Sequence, residues 1–334
     1  MGRIVIELTN RCNLRCRHCY DGRHGGKAEL SLALLDKILA DAKRHGFDEL
    51  AFTGGEPTIH RHFFEMIERA THAGYRFGFV SNGWHFSKIY EKLLPFRDRL
   101  TGITFSLDGA TEETHDALRG TGSFRRLLKA MSICVAKEIP FSINTVLTTL
   151  NCTELAELVA LAIPLGSQGM RFGHYIDSGR EASTGLSLSH EARRHIEADV
   201  WLLRDEAPIP VTMAPGYVTE DLFPCAPLRL EEFNIDWQGN VGTCCHLSGF
   251  GAANPASAVG GNLNDISFAE ALERLTREND AFRTYKIQHS QSRVFTDRDF
   301  SPCEYCFKHY RNAHFGEVAQ FVAVDIEPPK RHYL

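Results

Sequence analysis

Short apolar runs with the spacing of strands alternate with segments of helical spacing, and this alternation limits most strongly how the chain can fold. The predicted strands are 4–8, 49–53, 76–80, 102–107, 141–147 and 169–174, and the predicted helices are 32–44, 62–73, 86–94, 124–137, 153–165 and 189–204. Strands that are joined by helices form a parallel sheet, and the C-terminal ends of its strands carry the functional groups. We therefore expect an α/β fold, a partial (β/α)6 TIM-like barrel.

Charge and hydropathy exclude several classes of protein. The formal net charge is -5, and the 37 basic residues form no stripe of the kind that binds nucleic acid. The N-terminus has no long apolar stretch typical of a signal peptide, and no run of eighteen apolar residues occurs. We expect a cytoplasmic protein that binds neither nucleic acid nor membrane.

The ten cysteines fall mainly into two groups, which suggest two parts of the chain. Clustered cysteines in a cytosolic protein of this size more often bind metal or catalyse than form disulfides. The first group lies at the start of the predicted barrel, and the second lies in a loop-rich region after about residue 215. We expect a barrel domain over 1–214 and a metal-bound appendage over 215–334.

The first group is Cys12, Cys16 and Cys19, which directly follow the first predicted strand. Three thiolates in one short loop can hold a [4Fe–4S] cluster and leave one iron open to a small molecule. A zinc site is the alternative, and it would need a fourth ligand such as His18.

These cysteines, together with Thr53-Gly54-Gly55-Glu56-Pro57 after the second predicted strand, resemble the radical S-adenosylmethionine (radical SAM) superfamily. The resemblance implies that the open iron binds the cofactor's methionine part and that Glu56 anchors its ammonium. Gly54 and Gly55 would let the backbone approach closely, and Pro57 would fix the exit of the turn. It also implies that reductive cleavage of the cofactor yields a 5′-deoxyadenosyl radical, which abstracts a hydrogen from a substrate carbon.

Further residues are placed in the cofactor site by the same resemblance. His18 stands where the family usually has an aromatic residue against the adenine. Ser106 and Asp108 would contact the ribose and methionine parts, and Arg119 would meet the carboxylate or have only a surface role. Asn82 and Asn144 lie at analogous strand ends, where they could equally be turn or capping residues.

The second group is Cys225, Cys244, Cys303 and Cys306, with Gly239 between the first two. Its spacing resembles the twitch domain, the shortened relative of the SPASM domain, and implies one auxiliary [4Fe–4S] cluster. The segment around Gly239 is predicted to be a hairpin that presents Cys225 and Cys244. A four-cysteine zinc ribbon is the alternative.

Three cysteines remain outside these two groups. Cys245 follows a predicted ligand, and neighbouring residues of an extended hairpin point to opposite faces, so both cannot easily bind one metal. Cys245 could be a buried structural residue, an alternative ligand, or a catalytic hydrogen-atom donor of the kind found in family epimerases. Cys134 and Cys152 are predicted to be small core or capping residues.

The resemblance implies an oxidoreductase, epimerase or peptide maturase that takes its electron from a partner such as flavodoxin or ferredoxin. We expect it to modify a ribosomally synthesised peptide, by epimerisation or a cross-link, in natural-product biosynthesis. A dehydrogenase or epimerase of an aminosugar or cyclitol is the alternative. A non-catalytic metal-binding scaffold is the alternative of another class.

Overall fold

A computed structural model describes residues 2–19, 25–176, 185–217, 223–248, 259–291 and 300–309 of the chain. Its strands are β1 (Gly2–Arg11), β2 (Gly25–Glu29), β3 (Phe47–Gly54), β4 (Arg76–Ser81), β5 (Leu100–Ser106), β6 (Phe141–Leu147), β7 (Met170–His174), β8 (Val211–Met213), β9 (Glu232–Ile235), β10 (Asn240–Gly242) and β11 (Gly261–Asn262). Its helices are α1 (Leu32–Arg44), α2 (Phe63–His72), α3 (Phe86–Leu93), α4 (Glu112–Arg119), α5 (Ser123–Ala136), α6 (Leu155–Ala162), α7 (His190–Glu206), α8 (Phe268–Gln291) and α9 (Pro302–His309).

The main sheet confirms the predicted α/β fold. Strands β1, β3, β4, β5, β6, β7 and β8 pair in this order, and every pair is parallel. All six predicted strands and all six predicted helices are present, with ends that differ by at most two or three residues. Helix α1 begins as predicted because Ser31 Oγ accepts a hydrogen bond from the Leu34 amide at 3.1 Å, which caps the helix.

Alternation along each strand separates the core from the inner face of the barrel. In β1, Ile4, Ile6 and Leu8 are buried in the main apolar core, which also contains the apolar face of α1. Arg3 and Glu7 therefore lie on the opposite face, because successive strand residues point to opposite sides. This alternation places polar residues along the inside of the barrel.

Several elements were not predicted from the sequence. The short β2 pairs antiparallel with β1, and β8 adds a seventh parallel strand beside β7. Helix α4, which carries Arg119, stands between β5 and α5. The segments of β2 and β8 are only five and three residues long, so periodicity alone does not reveal them.

The predicted hairpin around Gly239 is present and joins the main sheet, but Cys225 lies outside it, at the start of the 3-10 turn Ala226–Arg229. Strand β9 pairs antiparallel with β10, and its other edge pairs parallel with β1. The side chain of Asp236 accepts hydrogen bonds from the amides of Gln238 and Asn240 at 2.8 and 3.0 Å, which fixes the turn. The predicted domain boundary between residues 214 and 215 stays a prediction. Strands from both sides of this boundary belong to one sheet, because β9 pairs with β1.

Aromatic contacts hold α8 against the same sheet. The ring of Phe47 in β3 lies 5.2 Å from that of Phe233 in β9 and 6.0 Å from that of Phe268 in α8. Such edge-to-face contacts add to the free energy gained by burial. Among the described helices, none combines the length and the apolar character that crossing a bilayer requires.

Candidate active site

The three cysteines of the first group lie in the loop that follows β1. The Leu14 amide donates to Cys12 Sγ at 3.4 Å, and the Cys19 amide donates to the Cys16 carbonyl at 3.2 Å. The Arg17 amide donates to the carbonyl of Leu118 at 2.9 Å, which attaches this loop to α4. No disulfide links the three, and each thiol is partly buried.

Burial makes these thiols poor acids until a positive centre binds them. Burial raises the pKa of Cys12 to about 12 and that of Cys16 to about 11. The guanidinium of Arg119 opposes this effect at Cys16, where its Nη1 lies 4.0 Å from the sulfur. Thiolates are the form that binds iron, so a cluster that binds here would release the protons of these thiols.

Gly54 and Gly55 allow two loops to cross at this site. Gly54 has φ +131°, and a Cβ there would lie 2.3 Å from the Thr9 carbonyl oxygen. A Cβ at Gly55 would lie 2.1 Å from the carbonyl oxygen of Arg11. The glycines therefore let the end of β3 pack against the backbone that leads into Cys12. Their predicted approach to a cofactor stays a prediction.

Glu56 is held by four donors at the ends of β3 and β4. Its Oε1 accepts from Thr58 Oγ1 at 2.6 Å, from the Thr58 amide at 3.3 Å and from Ser81 Oγ at 3.0 Å, and its Oε2 accepts from the Asn82 amide at 2.8 Å. Burial raises the pKa of Glu56, and these hydrogen bonds oppose the rise. Pro57 is the first residue of the short 3-10 turn that follows. The carboxylate is thus fixed before any cation arrives.

Asn82 connects the end of β4 to the first cysteine group. Its Nδ2 donates to Asn13 Oδ1 at 3.0 Å and lies 3.9 Å from Cys12 Sγ. Its Oδ1 accepts from the Trp84 amide at 3.0 Å. Asn82 therefore stabilises the turn, which is the turn role considered for it from the sequence. It also contacts the cysteine loop through Asn13.

Asp108 is the centre of a buried charged network. His18 Nε2 lies 3.0 Å from its Oδ2, and Arg119 Nε donates to the same oxygen. The Val146 amide donates to Oδ1 at 2.8 Å. Burial by itself would raise the pKa of Asp108, but the charges of Arg119 and His18 hold it well below its usual range. Arg119 is only 8% exposed, so the surface role considered for it is wrong.

Ser106 and Asn144 lie side by side on the inner face of the sheet. They are register partners on β5 and β6, and their neighbours Phe105 and Ile143 are fully buried in the core on the other face. Two residues earlier on the same face, the hydroxyl oxygens of Thr104 and Ser142 lie 3.4 Å apart. The predicted pair thus occupies the inner, C-terminal part of the barrel.

Two buried polar atoms beside the first cysteine group have no hydrogen-bond partner among the described residues. They are His18 Nδ1 and Asn13 Nδ2. An unsatisfied buried polar atom is costly, so each would gain from a polar ligand. Three thiols, a fixed carboxylate and these two atoms are chemically suited to an iron–sulfur cluster and S-adenosylmethionine.

The four cysteines of the second group share one neighbourhood. Leu247 packs against Cys244, Cys303 and Cys306, and a second apolar group around Phe282 contacts Cys225 and Cys306. Burial and the charges of Cys225 and Cys303 raise the pKa of Cys306 well above its usual value. Cys303 and Cys306 are three residues apart on α9, which places them on one helix face.

The expectation that Cys244 and Cys245 point to opposite faces of an extended hairpin is wrong. Strand β10 ends at Gly242, and the chain then turns, with the Ser248 amide donating to the carbonyl of Cys244 at 3.2 Å. The two thiols form a hydrogen bond, which raises the pKa of Cys244. The role of Cys245 stays a prediction. Cys134 and Cys152 are buried in the core, as predicted.

Within the described ranges, no three His, Cys, Asp or Glu side chains converge in the arrangement that a metal ion requires. The assignments of metal ligands therefore stay predictions.

Sequence reasoning missed several residues of the site. They are Thr58, Ser81, His115 and Asn151. Ser81 directly precedes Asn82 at a strand end, so its position could have indicated it. His115 accepts from the Asp108 amide at 3.1 Å, and Asn151 donates to the Asp108 carbonyl at 3.0 Å. Both come from separate elements, and no local pattern marks them.

The fold and these crossing loops define a parallel α/β barrel with a three-cysteine loop at the C-terminal ends of its strands. Residues 6–162 match the family model described as the radical SAM superfamily, so this segment of the chain belongs to that family. The match includes the first cysteine group, Glu56, Asp108 and Asn144.

Curated relatives and a solved structure are similar to this chain. The mycofactocin maturase MftC of Mycobacterium tuberculosis is 32% identical over 60% of this chain and 51% of its own length. An AdoMet-dependent heme synthase of Oleidesulfovibrio alaskensis is 25% identical over 90% of this chain and 80% of its own length. The chain spans about half the length of the first of these relatives.

The crystal structure of Streptococcus suis SuiB bound to precursor peptide SuiA has a similar fold. It has a TM-score of 0.63 and 15% sequence identity, over 75% of this chain and 61% of that one. At this identity, the likeness shows the fold alone.

Proposed function

We propose that the protein is a radical SAM enzyme that modifies a ribosomally synthesised peptide, by epimerisation or a cross-link, in natural-product biosynthesis. The observation that carries the proposal is the meeting of three loops at one barrel end. The cysteine loop, the Glu56 loop and the Asp108 network are joined by the Asn82 and Arg119 contacts to cysteine sulfurs.

Each residue would have a distinct part in holding the cofactors. Cys12, Cys16 and Cys19 would bind the [4Fe–4S] cluster, and Glu56 would receive the ammonium of S-adenosylmethionine. Arg119 would meet its carboxylate, and the remaining contacts would come from His18, Gly54, Gly55, Pro57, Asn82, Ser106, Asp108 and Asn144. When bound and reduced by one electron, this pair of cofactors supplies a carbon radical that abstracts hydrogen from the substrate.

An auxiliary [4Fe–4S] cluster at Cys225, Cys244, Cys303 and Cys306 belongs to the same proposal. The shared burial of these four thiols supports it. A reducing partner such as flavodoxin or ferredoxin would supply electrons, and the enzyme would work in the cytoplasm.

A peptide substrate is supported by the names of similar proteins. SuiB has a related fold and was crystallised with a precursor peptide, and MftC is a maturase. The heme synthase relative, which aligns with nine-tenths of this chain, favours a second candidate, the modification of a small molecule.

The test is anaerobic purification of the protein and of a variant with Cys12, Cys16 and Cys19 all replaced by Ala. The unaltered protein should convert S-adenosylmethionine to methionine and 5′-deoxyadenosine when dithionite is added. The triple variant should lose this activity and retain about four irons, those of the auxiliary cluster. Absence of cofactor cleavage by the unaltered, iron-loaded protein would overturn the proposal. Zinc in place of the remaining iron would overturn the auxiliary cluster alone.

A further inference from the structure

Arg171 lies on the inner face of the barrel beside the predicted cofactor residues. It is the second residue of β7, and its neighbours Met170 and Phe172 are 2% and 0% exposed in the core on the other face. Its register partners are Asn144 on β6 and Thr212 on β8. Because paired residues of parallel strands share a face, Arg171 continues the row that Asn144 begins.

Arg171 differs from the other arginines on this face. Arg3 Nε donates to Glu232 Oε2 at 2.7 Å, and Arg76 is paired with Glu49 at 3.1 Å. Each arginine and its glutamate lie on neighbouring strands, near the N-terminal ends of these strands. In the part of the chain that the structure describes, the exposed side chain of Arg171 makes no ion pair and no hydrogen bond. Among the described residues, no carboxylate is paired with the guanidinium of Arg171.

Arg171 therefore lies in one row with Ser106 and Asn144 on the inner face of the sheet, beside the predicted cofactor residues.

We propose that Arg171 binds a carboxylate group of the peptide substrate; this rests on the proposed function. A guanidinium offers a planar fork of donors that matches a carboxylate with two parallel hydrogen bonds. The carboxylate is either the C-terminus of the peptide or an Asp or Glu side chain. In either case, one fixed contact orients the peptide on the face where the predicted cofactor residues lie.

The experiment measures the retention of synthetic peptides on immobilised, iron-loaded protein under anaerobic conditions with S-adenosylmethionine. Three randomised octapeptide pools are compared: free C-terminus with neutral side chains, amidated C-terminus with neutral side chains, and amidated C-terminus with one Asp or Glu. We expect one carboxylate-bearing pool to be retained about tenfold to a hundredfold better than the neutral amide pool. Arg171→Gln should remove this preference, and Arg171→Lys should keep part of it.

Arg277→Gln is the matched control, because Arg277 is an exposed arginine on α8. It should retain the pools as the unaltered protein does. Preference for the free C-terminus identifies that group, and preference for the acidic amide pool identifies a side chain. Equal retention of all pools, or a preference that survives in Arg171→Gln, overturns the proposal for Arg171.

Cofactor cleavage separates this failure from failure of the proposed function. The unaltered protein and the control Arg277→Gln should form 5′-deoxyadenosine at the same rate in the absence of peptide. If the unaltered protein cleaves S-adenosylmethionine and Arg171 has no effect on retention, only the inference about Arg171 fails. If the unaltered protein does not cleave it, the proposed function fails.

Discussion

The imidazole Nε2 of His18 lies 3.0 Å from the carboxylate Oδ2 of Asp108, and both side chains are almost completely buried. This contact joins the first cysteine loop to the end of β5. Arg119 binds the same oxygen from α4, so one carboxylate orders three separate elements. The stability of the site should therefore depend strongly on Asp108.

Replacing Asp108 by Asn should destabilise the protein. Loss of one partner of a buried ion pair leaves the Arg119 charge uncompensated, which typically costs about 3–5 kcal/mol in the free energy of unfolding. Urea unfolding of the two proteins measures the difference. Glu112→Gln removes an exposed ion pair with Arg125 and should change little. Equal stability of Asp108→Asn and Glu112→Gln would contradict this prediction.

The stability of the protein should fall as the pH drops below about 6.5, partly through His115. Burial, with the Arg119 charge, lowers the pKa of His115 from 6.5 to about 4. The unfolded chain therefore binds a proton before the folded protein does, and stability is lost between these two values. The shift corresponds to about 3 kcal/mol in the free energy of unfolding.

Urea unfolding of the unaltered protein and of His115→Gln at pH 7.5 and at pH 4.5 measures this effect. His60 has a lowered pKa because it is buried, and it contributes in the same direction in both proteins. The variant should therefore lose less stability on acidification than the unaltered protein. Identical losses would show that His115 has no part in the pH dependence.

Cys245→Ala should leave the auxiliary iron in place and change the reaction outcome. In the background of the triple cysteine variant, about four irons per chain should remain if Cys244 is the ligand. In the otherwise unaltered enzyme, the substitution should abolish epimerisation and spare oxidation, as mass spectrometry in deuterated water would show. Cys134→Ala, at a buried position of α5, serves as the control. Loss of the iron would instead make Cys245 a ligand.

Lys286→Met should lower the midpoint potential of the auxiliary cluster. Lys286 is 7% exposed, and its Nζ lies 5.0 and 5.5 Å from the ring centres of Tyr305 and Phe223. Its charge lowers the pKa of both Cys225 and Cys306, although burial has the larger, opposite effect. A nearby positive charge favours the reduced, more negative cluster.

An electrochemical titration followed by electron paramagnetic resonance measures this potential. Lys286→Arg should keep the potential close to that of the unaltered protein. Lys92→Met, which removes an exposed lysine beside the Phe64 ring, should have no effect. An unchanged potential in Lys286→Met would show that this charge does not influence the cluster.

Local patterns were sufficient for much of the barrel. The segment 141–147 alternates between the core and the inner face, and it forms β6 with the predicted bounds. Helix α1 also matches its prediction, because a serine cap and regularly spaced apolar residues mark both its start and its buried face. The spacing of Cys12, Cys16 and Cys19 likewise indicates one loop without knowledge of the fold.

The sequence by itself thus determined the alternation of strands and helices, the two cysteine groups and the resemblance of residues 6–162 to the radical SAM superfamily. Only the tertiary structure decided that β9 pairs with β1, that His115 and Asn151 hold Asp108, and that Arg171 continues the row from Ser106 and Asn144. Periodicity arises from neighbours along the chain, whereas register and side-chain contacts join segments that are far apart in sequence. These contacts depend on how the whole sheet is paired, which no local pattern specifies.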